Sequence, residues 1–142
     1  MEGQKFGIAW NDIYLLDDEI VDAQHKRIFE LLSDLVASCV EGSSSEQLSK
    51  TLNFLAEYTV NHFHDEESLQ IEYNYPDYKR HKEIHENFKG VVGEIIGRFR
   101  ENGSSEELSN ELNKIVAKWL VSHIMQEDKR VGVHVKRKRE FG

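Results

Sequence analysis

One proline in 142 residues, Pro76, leaves this chain with almost nothing to stop a helix, because proline is the residue that deletes an intrahelical hydrogen bond and collides with the preceding turn. Between the remaining breaks, apolar residues recur at three- and four-residue spacing, the pattern of a helix with one buried stripe. In IVDAQHKRIFELLSDLVASCV the stripe is Val21, Ile28, Phe29, Leu32, Leu35, Val36 and Cys39, and it ends at Glu41-Gly42. A second helix opens in SSSEQLS, where Ser43 to Glu46 and Ser44 to Gln47 both have capping-box spacing. It continues through Leu48, Leu52, Leu55, Tyr58 and Thr59 to a stop at Asn74-Tyr75-Pro76-Asp77. A third is expected from about Asp77 to Glu101, stopped by Asn102-Gly103, and a fourth from a capping box at Ser104 and Glu107 through ELNKIVAKWLVSHIMQEDKR.

Short connections make consecutive helices antiparallel neighbours, so the expected fold is all-α, an up-down-up-down antiparallel four-helix bundle with an N-terminal arm. Residues 1–142 are read as a single domain, long enough to bury a core without disulfides. Residues 1–20, with Phe6, Ile8 and Trp10, are the arm, packed on the bundle through its aromatics. Residues 135–142, with Lys136, Arg137, Lys138 and Arg139, are a basic tail expected to be frayed and solvated. Cys39 is the sole cysteine and reads as a small core residue, which gives no sign of an oxidising compartment. No secretory leader pattern and no apolar run of membrane-spanning length is present, so a cytoplasmic location without membrane insertion is expected. A net charge of −8 argues against nucleic acid as a partner.

The histidines carry the chemical signal. Counted at 1.5 Å per residue from turn centres at residues 44 and 104, His25, His62, Glu66, His81, His85, His123 and Asp128 all stand roughly 27–36 Å from the turn end of their hairpins. Every helix therefore contributes to one layer. His62 with Glu66 and His81 with His85 are i,i+4 pairs, each projecting from one helix face. For His123 the i+4 neighbour is Glu127, whereas Asp128 at i+5 lies about 140° round an ideal helix, so spacing alone favours Glu127. A single helical histidine is ordinarily a surface or hydrogen-bonded residue, but five in one layer cost too much to bury without partners, and metal ligation satisfies them. His64 and His134 fall outside these sets and are expected in solvent. Glu67 stands between a supporting and a surface role.

Five imidazoles and two carboxylates are too many donors for one tetrahedral zinc, whereas two ions sharing carboxylates use them all. Nitrogen and oxygen donors without thiolate suit iron, ahead of manganese or zinc. No glutamate is followed by histidine three positions later, unlike the carboxylate-rich diiron bundles. The motifs then speak together: Trp10; Asp22, Gln24, His25; His62, Phe63, Glu66, Glu67; Tyr75-Pro76 with His81 and His85; and W-L-x-x-H-I-x-x-x-D from Trp119 to Asp128. In these the chain resembles the hemerythrin family, in particular its bacterial members, over nearly its whole length.

The resemblance implies an oxo- or hydroxo-bridged centre of two Fe ions with His25, His62, His81, His85 and His123 as nitrogen ligands and Glu66 and Asp128 as bridging carboxylates, which would place Asp128 over Glu127. It implies reversible O2 binding, without catalysis, in a pocket formed by Leu120, Trp119, Ile28 and Phe63. Asp22 is expected to accept an imidazole N–H. Where family members often carry other residues, this chain has Asp17-Asp18, Gln70 and Val131, which bear on pocket polarity and solvent access. The competing functions are a sensor acting through a protein partner, with the basic tail as the contact, peroxide or nitric oxide reduction, and iron storage.

Overall fold

The computed structural model describes residues 10–16, 18–41, 45–103 and 105–142, the side chains at 39, 40, 45, 106, 109 and 113 aside. Helix α1 spans Glu19–Glu41, α2 Ser45–Glu72 and α3 Tyr78–Asn102. The fourth rod is α4 (Glu106–Glu111), a π-helical stretch Leu112–Ala117, α5 (Lys118–His123), a second π stretch Ile124–Asp128, and α6 (Lys129–Phe141). Residues at the junctions keep right-handed helical dihedrals, so the rod is unbroken although its winding changes twice. Helix α1 packs along α2, α2 along α3, and α1 along the start of the fourth rod, giving the up-down-up-down bundle. No strand occurs among the described residues.

The helix boundaries follow from local chemistry. Asp18 starts α1 by accepting the Val21 N–H at 3.0 Å. Ser105 starts α4, its Oγ accepting from Leu108 N at 3.0 Å; Ser43, Ser44 and Ser104, expected as caps, lie outside the described residues. Helix α2 ends with Asn74 at φ 53, where Tyr75 N donates to Gln70 O at 2.8 Å and Asn74 N to Ile71 O at 3.2 Å, after which Pro76 forbids continuation. Helix α3 ends at Gly103, whose φ of 72 suits only a residue without Cβ.

The expected stripes form the core. Leu32, Leu35 and Val36 meet Leu48, Leu52, Phe88, Ile95, Phe99 and Leu112 in one apolar cluster. Emptying such a position, Leu32→Ala for example, costs about 2–5 kcal/mol. The side chain of Cys39 lies outside the described set. So do Phe6, Ile8 and Asp17, but Trp10 packs on the bundle as expected, its ring edge-on to Phe29 at 5.4 Å and to Tyr14 at 5.5 Å.

The tail is corrected. Residues 135–141 continue α6 rather than fray, because Val131 and Val135 place an i,i+4 apolar pair against Tyr75. Arg139 Nε donates to Tyr73 Oη at 3.0 Å and Nη2 to Asp18 at 3.3 Å. His134 is likewise not solvated: it is half-buried, with Nε2 2.7 Å from the Tyr73 carbonyl and its ring edge-on to Tyr75. His64 is exposed, as expected.

Candidate metal centre

Helix α1 contributes His25, α2 His62 and Glu66, α3 His81 and His85, α5 His123, and the second π stretch Asp128. All seven are 5% exposed or less. Their donor atoms form two sets. Glu66, His81, His85, His123 and Asp128 lie within 4.8 Å of one another, and so do His25, His62, Glu66 and Asp128. The two carboxylates belong to both sets.

The contacts are crowded yet unsatisfied. Glu66 Oε1 is 2.8 Å from His81 Nε2 and 3.5 Å from His85 Nε2, while Oε2 is 3.3 Å from His62 Nε2 and 3.8 Å from His25 Nε2. Asp128 reaches His123, His81 and His25 at 3.1, 3.2 and 3.2 Å. Despite this proximity neither Glu66 oxygen, nor Asp128 Oδ1, nor either nitrogen of His25 makes a properly directed hydrogen bond among the described residues. The Nε2 atoms of His81 and His123 each face His85 Nε2 at 3.1 Å. Lone pairs aimed at a shared point rather than at protons are what a pair of cations requires, and the donor set fits two of them.

The π winding brings Asp128, and not Glu127, into the cluster. Where hydrogen bonds run from i to i+5, residues five apart stack, so Asp128 comes beside His123. Glu127, favoured by ideal α spacing, is turned outward into an ion pair with Arg80. The α-helical assumption behind that spacing argument is what failed.

Two further side chains orient the rings. Glu67, buried, places Oε2 2.8 Å from His85 Nδ1, and because a carboxylate only accepts, the proton sits on Nδ1 and Nε2 keeps its lone pair. Gln24 does the same for His62: its Nε2 donates to Asp65 at 2.8 Å, which turns Oε1 toward His62 Nδ1 at 2.7 Å. Gln24 stood in the D-x-Q-H motif without a role, and Glu67 shares a helix face with Phe63, whose ring stacks on His85 at 3.9 Å. Asp22, expected to serve an imidazole, instead accepts from Leu16 N at 2.8 Å and Asp18 N at 3.3 Å, fastening the arm to α1.

Charge within the cluster is set by competition. Burial opposes protonation of His25, but the Asp128 and Glu66 carboxylates outweigh it and push the pKa up to about 9; His81 is pushed up to about 9 by the same balance. His62 is lowered, mainly by burial. Burial alone would raise Glu66 and Asp128, yet the surrounding imidazoles hold Glu66 well below the usual carboxylate range and depress Asp128 too. Protons on His25 and His81 thus stand in for cationic charge.

Apolar groups close the other side. Trp119, half-buried, stacks on His123 at 4.4 Å, and Phe88 on Trp119 at 3.7 Å. Ile28 and Leu120 line a cavity of about 20 Å³ with Leu32, Leu55, Thr59 and Phe88 among its other walls. Phe63 and Trp119 cover imidazoles of the five-donor set, while Ile28 and Thr59 stand three residues from His25 and His62.

The sequence profile of the Hemerythrin HHE cation binding domain matches residues 16–133. The chain belongs to the hemerythrin family. It is similar to the bacteriohemerythrin of Methylococcus capsulatus, 33% identical over 78% of this chain and 82% of that one, and to that of Pseudomonas paraeruginosa, 31% identical over 85% and 76%. The myohemerythrin of Theromyzon tessulatum is 30% identical over 84% and 86%. A wild-type hemerythrin crystal structure superposes with a TM-score of 0.79 at 27% identity, covering 90% of this chain and 97% of that one. Within this hemerythrin bundle the less usual residues have defined places. Asp18 caps α1, Val131 is buried in α6, and Gln70 is fully buried with neither amide atom hydrogen-bonded among the described residues. No helix among the described residues is long and apolar enough to cross a membrane.

Proposed function

We propose that the chain binds dioxygen reversibly at a centre of two iron ions held by His25, His62, Glu66, His81, His85, His123 and Asp128, and serves oxygen transport, storage or delivery. The observation that carries this is the asymmetry of the donors: one set has five members, the other four, and the two carboxylates are common to both. The His25 and His62 half lacks one donor, and the apolar cavity lies along the same two helices, against Ile28 and Thr59. Those seven residues would hold two ferrous ions, whose chemistry would be to lend electrons to dioxygen and take them back.

The chain's own residues then have separable tasks. Glu66 and Asp128 span the two halves. Gln24 and Glu67 fix the tautomers of His62 and His85. Ile28 and Leu120 bound a space that holds a water-sized or diatomic molecule and little more, and an apolar cavity of that kind stays dry. Phe63 and Trp119 shield the imidazole faces from water. Thr59 is the hydroxyl in the cavity wall, and its proton is committed to the Leu55 carbonyl at 2.8 Å, which favours carriage over a reductase that must deliver protons.

The test is to load the protein with iron, reduce it anaerobically, admit O2, then remove it while recording the visible spectrum and iron content. A charge-transfer band that comes and goes with the gas is expected. Irreversible conversion to a diferric product sinks carriage, and one metal or none per chain sinks the dinuclear centre.

A further inference from the structure

A second cavity, of about 170 Å³, reaches the centre from the opposite direction. Its floor is Glu66 and Asp128, its walls are Val21, Leu69, Val131 and Val135, and two anions and two cations, Asp18, Glu140, Lys136 and Arg139, stand at the lining's polar edge. It has room for several waters. Val131 matters here, because a bulkier residue one turn past Asp128 would occupy this space.

The end of the arm covers it. Leu16 lies so close to α6 that a Cβ on Gly132 would meet Leu16 Cβ and O at 3.3 Å. Lys129 Nζ donates to Leu15 O at 2.9 Å, and Arg139 to Asp18 at 3.3 Å. These fastenings to α6 are exposed and individually weak, whereas Asp22 holds the Leu16 and Asp18 amides to α1, so the cover opens by parting from α6 with Asp22 as its hinge.

We propose that this cavity is the route by which divalent metal ions reach the centre, with the arm at Leu15, Leu16 and Asp18 as its movable cover. The idea rests on the diiron reading above. The ions must arrive somehow, since every candidate ligand is 5% exposed or less. The apolar cavity at Ile28 and Leu120 is a poor path for an ion, which would have to shed its water against hydrocarbon. The larger cavity ends instead on the two carboxylates, where both Glu66 oxygens and Asp128 Oδ1, without a hydrogen bond among the described residues, can replace a cation's waters one at a time. Because Glu66 and Asp128 belong to both donor sets, an ion caught on them can pass to either group of histidines.

The experiment mixes metal-free full-length protein with Co2+ in a stopped-flow instrument. Tryptophan fluorescence follows the uptake, Trp119 being stacked on His123, and the final cobalt content is measured. Val131→Trp fills the cavity and is expected to slow uptake about ten-fold or more, because passage then needs the packed interior to open. Arg139→Ala loosens the cover and is expected to speed uptake several-fold. Both should still take up two ions per chain. Two ions taken up at the wild-type rate by Val131→Trp overturns the route. Should that variant fail to show a helical circular dichroism spectrum, an unchanged rate in Arg139→Ala overturns it equally. Wild-type protein that takes up fewer than two ions overturns the dinuclear reading itself, and the route with it.

Discussion

Replacing Glu67 by alanine removes the acceptor that holds His85 by its Nδ1 proton at 2.8 Å. Two arguments set the size of the effect. Losing a hydrogen bond to a charged, buried partner costs about 1.5–3 kcal/mol. Independently, removing the partner behind a metal-ligating histidine lowers metal affinity about 10–100-fold, which is about 1.4–2.7 kcal/mol. The stack of Phe63 on His85, at 3.9 Å and nearly parallel, prevents the ring from swinging away, so the lower half of that range is expected. Glu67→Gln keeps an oxygen acceptor at the same reach and should lose only a few-fold. Competition titration of the metal-free variants with Zn2+ against a chromophoric chelator at neutral pH measures the difference. If Glu67→Ala binds within two-fold of the parent while its circular dichroism is unchanged, stacking alone positions His85 and the reasoning is wrong.

Asp128→Ala should abolish uptake of the second ion, whereas Glu127→Ala should leave stoichiometry at two and cost at most about 1 kcal/mol of stability through its exposed pair with Arg80; equal losses in the two variants would contradict the π-turn assignment. Gln70→Leu removes a fully buried amide that has no hydrogen bond among the described residues and should stabilise the metal-free protein by about 1–3 kcal/mol, read from urea unfolding, and a lowered midpoint would refute this. The metal-free protein should also lose stability as pH rises. His25 and His81 titrate near 9 when folded against an ordinary 6.5, so their contribution is complete below about 6.5 and is gone above about 9. A urea midpoint that holds steady or climbs across that window would show that the carboxylates do not protonate them.

The bundle was readable because its determinants are local. Pro76 and Gly103 mark turns, and Leu32, Leu48 and Leu52 recur where a buried stripe requires. The site layer was readable for a related reason: a constant rise per residue turns sequence distance from a turn into height along the bundle. What failed was whatever depended on winding or on cross-helix partners. No residue type in IMQED announces hydrogen bonds from i to i+5, so the choice between Glu127 and Asp128 could not come from spacing. Gln24 and Glu67 are ordinary helix residues until α2 and α3 are placed beside them. Asp22 was misjudged because its carboxylate is drawn to the nearer backbone amides of Leu16 and Asp18. The tail looked frayed because four consecutive cations dominate it, and those cations are solvated as expected, but Val131 and Val135 already continued the stripe that binds α6 to Tyr75.

The second π stretch also makes the chain's length between His123 and Asp128 adjustable in one direction only. Deleting one residue there, Gln126 for example, would return the turn to ordinary α winding and leave the aspartate four places after the histidine, still on its face. Everything after it would follow in nearly the same phase, because a π turn holds one residue more than the α turn it replaces and sets the rod down at nearly the same angle. Val131, Gly132 and Val135 would stay against the arm, and Arg139 would still meet Asp18. The surplus residue thus costs the rod no register, whereas one residue added after Asp128 in plain α winding would turn α6 by about 100° and take it off the arm.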